Sequence, residues 1–116
     1  MTVNILGTLY TIKIDVDPEV DKELDGNFGY CDMLKKEIVI ADLTKCGNWK
    51  NEPQKSMITQ NKVTMRHEII HAYLAESGLR GSSNDVKAWA LNKEMVDLIA
   101  LQFPKILKSF KEVKAI

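Results

Sequence analysis

Neither sign of charge is in excess in this chain: the 16 lysines and arginines balance the 16 aspartates and glutamates. A nucleic-acid surface needs a basic patch or stripe. The one basic spacing present, Lys105, Lys108, Lys111 and Lys114, repeats every three residues as a solvated helix face does, and no nucleic-acid partner is expected. No apolar run approaches the roughly 18 residues that would cross a bilayer. The start, Met1 to Gly7, has neither the basic segment nor the long apolar run of a secretory signal, so a cytoplasmic, membrane-free protein is expected. There are only two cysteines, Cys31 and Cys46, without a CxxC spacing, which excludes a zinc knuckle. In a reducing cytoplasm both read as free thiols.

What is present suits one globular domain spanning residues 1–116. A hydrophobic share of 45% beside 28% charged residues argues against disorder, and the length suffices for one core but not for two of ordinary size. Tyr10–Val16 alternates polar and apolar positions as a half-buried strand does, with a short strand expected before it at Val3–Leu6 and a turn at Gly7–Thr8. Asp17 to Leu24 reads as a capped helical turn ending before Asp25 and Gly26. Phe28–Asp32 and Glu37–Ala41 flank a polar break at Lys35 and Lys36 and predict a hairpin, whose Gly29 marks a bulge or a close backbone approach.

Lys45 to Pro53 reads as a loop. A long helix then runs from Gln54 towards Gly78, its C-terminal stop. The stretch Gly81 to Asp85 reads as a loop ending in helix-capping residues, followed by a second helix from about Asp85 to Gln102. Pro104 is expected to kink or restart the chain into a final helix from Lys105 to about Val113. The fold class is therefore α+β, with N-terminal antiparallel strands packed on the long helix.

The chain's only two histidines lie four residues apart with a glutamate directly after the first: His67, Glu68 and His71. Random placement would give this HExxH pattern about once in a thousand shuffles. Residues i and i+4 project from one helix face, so the two imidazoles can take two corners of a tetrahedral zinc site. Glu68 is turned about 100° away, outside the ligand set but within reach of a water that zinc would acidify, as a general base should be. The competing reading is two satisfied histidines on an amphipathic helix. Val63, Ile70, Leu74 and Ala75 lie one turn away, however, and burying imidazoles on such a face without partners would cost several kcal/mol.

A catalytic zinc usually takes three protein ligands. With no third histidine, the remaining one must be a carboxylate or, less often, a cysteine or tyrosine. Glu94 and Asp97 share a face of the second helix with Ala90, Leu91, Leu98 and Leu101. Either Glu94 ligates zinc while Asp97 hydrogen-bonds an imidazole or is itself the ligand, or the pair faces solvent. Asp85 is more simply a helix cap, and Glu76 points away from the imidazoles.

Strand hairpin, HExxH helix, loop and a second helix with a glutamate 23 residues after the second histidine resemble the minimal zincins of the gluzincin kind. In particular they resemble small phage-encoded HExxH proteins related to the ImmA/IrrE-type metallopeptidases. The resemblance spans roughly residues 26 to 104 and rests on Arg66–Ala72, on Gly29–Asp32 leading to Ile38–Ile40, and on Asn92–Asp97 ending near Pro104. It implies a zinc peptidase of a cytoplasmic protein substrate such as a regulator, with zinc on His67, His71 and Glu94 and an edge strand pairing with extended substrate. Many gluzincins place an aspartate four residues after the ligand glutamate; here the interval is three, and the roles of Glu94 and Asp97 stay open. Tyr30 and Tyr73 are candidates for stabilising an oxyanion, with core packing as their alternative use. The competing functions are a zinc-bearing binding module without turnover and a metal-free interaction domain.

Overall fold

A computed structural model describes residues 1–78, 93–112 and 116. Two strands, β1 (Thr2–Ile5) and β2 (Thr8–Val16), precede the hairpin of β3 (Gly29–Asp32) and β4 (Glu37–Ala41); α1 (Gln54–Glu76) and α2 (Lys93–Glu112) follow. Short 3-10 turns lie at Lys22–Leu24, Leu43–Lys45 and Gly47–Asn51, so the expected loop before α1 is partly helical. The class is α+β as the sequence predicts. The loop from Gly81, the cap at Asp85, the positions Ala90 and Leu91 and the tail lysine Lys114 lie outside the described residues.

The sheet is mixed, where antiparallel strands were expected. Its order is β1-β2-β4-β3, with β1–β2 and β3–β4 antiparallel and β2–β4 parallel. The reason lies in β4: Ile38, Val39, Ile40 and Ala41 are all buried, on both faces of the sheet. A strand apolar on both faces needs a central place, and the hairpin therefore inserts β4 beside β2 and leaves β3 at the edge. The parallel register slips between Lys13 and Val16, where Asp15 takes a left-handed φ of 55° and a bulge forms. The first turn is Leu6–Gly7, one residue earlier than expected; both have positive φ, as a two-residue hairpin turn requires.

One face of the sheet packs on α1 through Ile5, Tyr10, Ile12, Ile38 and Ile40 around Ala72, with Met65 and Ile69 at the margin. Leu24, Val39 and Ala41 form a smaller cluster on the other face. Two contacts fix α1 along its length. At its C-terminal end Glu76 accepts hydrogen bonds from Thr8 Oγ1 (3.1 Å), Tyr10 Oη (2.7 Å) and Lys36 Nζ (2.6 Å), tying the helix to β2 and to the hairpin turn. Lys36 holds this carboxyl below its ordinary range. The helix stops as expected, with the Ser77 N–H bonded to Tyr73 O and Gly78 at φ 80°.

The second contact is at Gly29, where β3 comes so near α1 that a Cβ would stand 2.8 Å from Thr64 Cγ2, 2.8 Å from Val39 O and 3.2 Å from Ile40 Cδ1. Gly29 is thus a close approach rather than a bulge.

α2 differs from expectation. It continues through Pro104 to Glu112 as one helix, and no separate C-terminal helix starts at Lys105. The carbonyl that Pro104 cannot serve, Ala100 O, accepts from Arg66 Nε at 2.5 Å instead, which replaces the hydrogen bond a proline inside a helix forfeits. Among the described residues no helix is long and apolar enough to cross a membrane.

The Gly29 contact gives a direct test. Gly29→Ala should destabilise the domain by about 1–3 kcal/mol in urea unfolding. Adding Thr64→Ser should recover only part of this, because Val39 O remains in the way. An unchanged midpoint for the single variant would contradict the close approach.

Candidate metal centre

The histidines do not sit on the most buried face of α1. That stripe is Thr64, Glu68 and Ala72, spaced by four and turned to the sheet. The neighbours expected to bury the imidazoles, Val63, Ile70 and Leu74, are only half-buried, and His67 opens into a cleft between α1, α2 and the edge strand. The cleft has a volume of about 240 Å³ and is lined by Gly29, Thr64, His67, Glu68, Lys93 and Asp97 together with residues 26–28.

The ring of His71 meets that of His67 at hydrogen-bond distance. His71 Nε2 and His67 Nε2 are 3.0 Å apart. Two nitrogens about 2.0–2.1 Å from one tetrahedral zinc are separated by about 3.3 Å, so the pair is spaced to share an ion with little adjustment. The other nitrogen of His67, Nδ1, lies 2.6 Å from Asp97 Oδ1. A carboxylate on the far nitrogen fixes a ligating histidine's tautomer and ring orientation. Of the two acidic candidates on α2, both exposed, the structure brings Asp97 to His67. Among the described residues no group of three His, Cys, Asp or Glu side chains is arranged to hold a metal. The imidazole pair fits zinc, and the third ligand is not assembled among the described residues.

Glu68 stands beside the pair, its Oε1 4.0 Å from His67 Nε2, and is 7% exposed. Burial pushes its carboxyl up to about 7; the charge of Lys93 opposes this and that of Asp97 adds to it. Cys31, on β3, has its thiol pushed up to about 12 by burial first and by the charge of Glu68 second. Both cysteines are free thiols.

The tyrosine candidates are used elsewhere. Tyr30 donates to Asp21 Oδ2 at 2.5 Å, on the far side of the sheet. Tyr73 lines an apolar groove between the helices with Ile70, Ile99 and Phe103. Lys93 is the cleft residue that sequence reasoning missed. Its place beside Glu94 gave no signal, since an exposed lysine on a helix is ordinary.

Comparisons with protein-family models, with curated proteins and with solved structures gave no match to this chain.

The raised Glu68 carboxyl predicts how the zinc-free protein responds to pH. The folded pKa, about 7, lies above the ordinary value of 4.5, so the stabilisation from a neutral buried Glu68 is complete below about pH 4.5 and is lost as pH rises through 7. Between pH 4.5 and 8 the wild type should lose roughly 3 kcal/mol relative to Glu68→Gln in urea unfolding. Parallel stability profiles for the two proteins would rule this out.

Proposed function

We propose that this chain is a zinc-dependent peptidase of the minimal zincin kind, acting on an extended segment of a protein substrate. The observation that carries the reading is the convergence of the two imidazole Nε2 atoms at 3.0 Å, with Asp97 on the outer nitrogen of one of them. His67 and His71 would hold the metal, Asp97 would orient His67, and Glu94 is the residue proposed to complete the ligand set by turning its side chain. Bound zinc would polarise a substrate carbonyl and acidify a water.

The chain's own groups supply the rest. Glu68 lies at the wall of the cleft, positioned to take a proton from the attacking water and pass it to the leaving amine. Lys93 places a cation on the same cleft, where charge would develop on the carbonyl oxygen.

The edge strand supports a peptide rather than a small amide as substrate. Ala41 N–H donates to Phe28 O, which makes 28/41 a hydrogen-bonded pair of the antiparallel ladder. Pairs alternate along such a ladder, so Tyr30 and Asp32 also turn their backbone groups to β4, while Gly29 and Cys31 turn theirs outward. Among the described residues no strand pairs with this edge of β3; an edge with outward N–H and C=O groups pairs with extended chain, and Gly29 itself lines the cleft.

One observation favours a second reading, a zinc-holding binding module without turnover: Tyr30 is engaged by Asp21 and cannot serve the oxyanion from where it stands. A combined assay separates the two. Purified wild type should carry close to one zinc per chain and cleave members of a random peptide library. Glu68→Gln should keep the zinc and lose roughly 10²–10⁴ in kcat, and Lys93→Met should lower kcat about tenfold or more with zinc content unchanged. Zinc without cleavage in the wild type would establish the binding module, and a wild type that takes up no zinc would overturn both readings.

A further inference from the structure

Pro104 lies inside α2 without an N–H. In an uninterrupted helix that N–H would bond the carbonyl four residues earlier, which belongs to Ala100. Ala100 is fully buried, and a buried carbonyl deprived of its helical donor is costly unless another donor reaches it. Arg66 Nε reaches it at 2.5 Å. Pro104 is the one proline in α2, so Ala100 O is the one interior carbonyl of this helix whose i+4 donor is removed by chemistry.

This bond and the His67–Asp97 contact are neighbours. Arg66 directly precedes His67 on α1, and Ala100 follows Asp97 by three residues, about one turn, on α2. The two bonds therefore cross-link the same two helices at adjacent points. Sliding α2 by one residue would shift it about 1.5 Å and rotate it about 100°, breaking both. Asp97 alone cannot set this register, because its side chain is half exposed and its carboxylate could follow a shifted helix or turn to water. A fixed backbone oxygen has no such freedom.

We propose that Arg66 and Pro104 form a register lock whose task is to place Asp97 against His67: the proline presents a single carbonyl on α2, and the arginine takes it. Arg66 and Pro104 are positioning residues, touching neither ligand atoms nor the proposed path of substrate. The purpose of the lock rests on the zinc-site reading, whereas its existence does not.

The test uses the whole, metal-free chain with labelled histidines and follows by NMR the exchange of the His67 Nδ1 proton, identified by its loss in Asp97→Ala. Pro104→Ala keeps every group around the site and gives Ala100 O a competing N–H. It should leave global stability unchanged or higher, since a helical proline is removed, yet speed exchange of the His67 proton about tenfold. Arg66→Met should speed it at least as much while the amides of Ile38, Val39 and Ile40 stay protected, and Arg66→Lys, which keeps a donor, should restore part of the effect. A merely structural role would tie exchange to stability, and Pro104→Ala separates them. Unchanged exchange in Pro104→Ala overturns the lock, even if Arg66→Met does not fold. Zinc uptake, measured separately, judges the peptidase reading: a wild type without zinc but with faster exchange in Pro104→Ala would keep the lock and sink the peptidase.

Discussion

The separation between the edge strand and the HExxH helix is set at one backbone position, Gly29. A Cβ there would meet Thr64 Cγ2 and the backbone oxygen of Val39 at 2.8 Å, so only a hydrogen at this position lets β3 and α1 come this close. Thr64 lies one helical turn before Glu68 on the same buried stripe. The contact that brings strand to helix thus also brings the outward backbone of β3 beside the acid and the imidazoles. The Glu76 cluster does the corresponding work at the other end, holding the last turn of α1 to Tyr10, Thr8 and Lys36. Between these two anchors the helix has little freedom to roll, and the faces presented by His67, Glu68 and His71 follow from that.

Rotation of α1 divides the motif by environment. Glu68 faces the sheet, where exclusion of water outweighs the pull of Lys93 and favours the neutral acid, while His67, one residue before it, faces the cleft and α2 and His71, three after it, meets His67 through Nε2. A carboxyl kept from solvent beside two adjoining imidazoles is an arrangement suited to moving a proton, as the proposed function requires. α2 completes it from the opposite wall with Asp97 and Lys93, whose height along α1 is tied to the Arg66–Ala100 bond.

Much of this was legible in the residues. The HExxH spacing placed two imidazoles on one face, the alternation from Tyr10 gave β2, the break at Lys35 and Lys36 gave the hairpin, and Gly29 pointed to a bulge or a close approach, of which the structure shows the second. The sheet order was not legible, because periodicity describes each strand alone, and only the burial of Ile38–Ala41 on both faces shows that β4 is central. Local chemistry says that Pro104 breaks a helix; the donor that replaces its missing N–H comes from Arg66, thirty-eight positions earlier. The division of roles between Glu94 and Asp97 was open for a similar reason. Both share a helix face in sequence, and which one meets His67 depends on the register of two helices joined through residues 79–92.

The central claim is that His67 and His71 share one zinc ion. Zinc K-edge X-ray absorption on the purified protein tests it most directly. The account predicts a four- or five-coordinate ion with two imidazole nitrogens and oxygen ligands at about 2.0–2.1 Å and no sulfur. A shell at about 2.3 Å from cysteine sulfur, or fewer than two imidazoles, would contradict it.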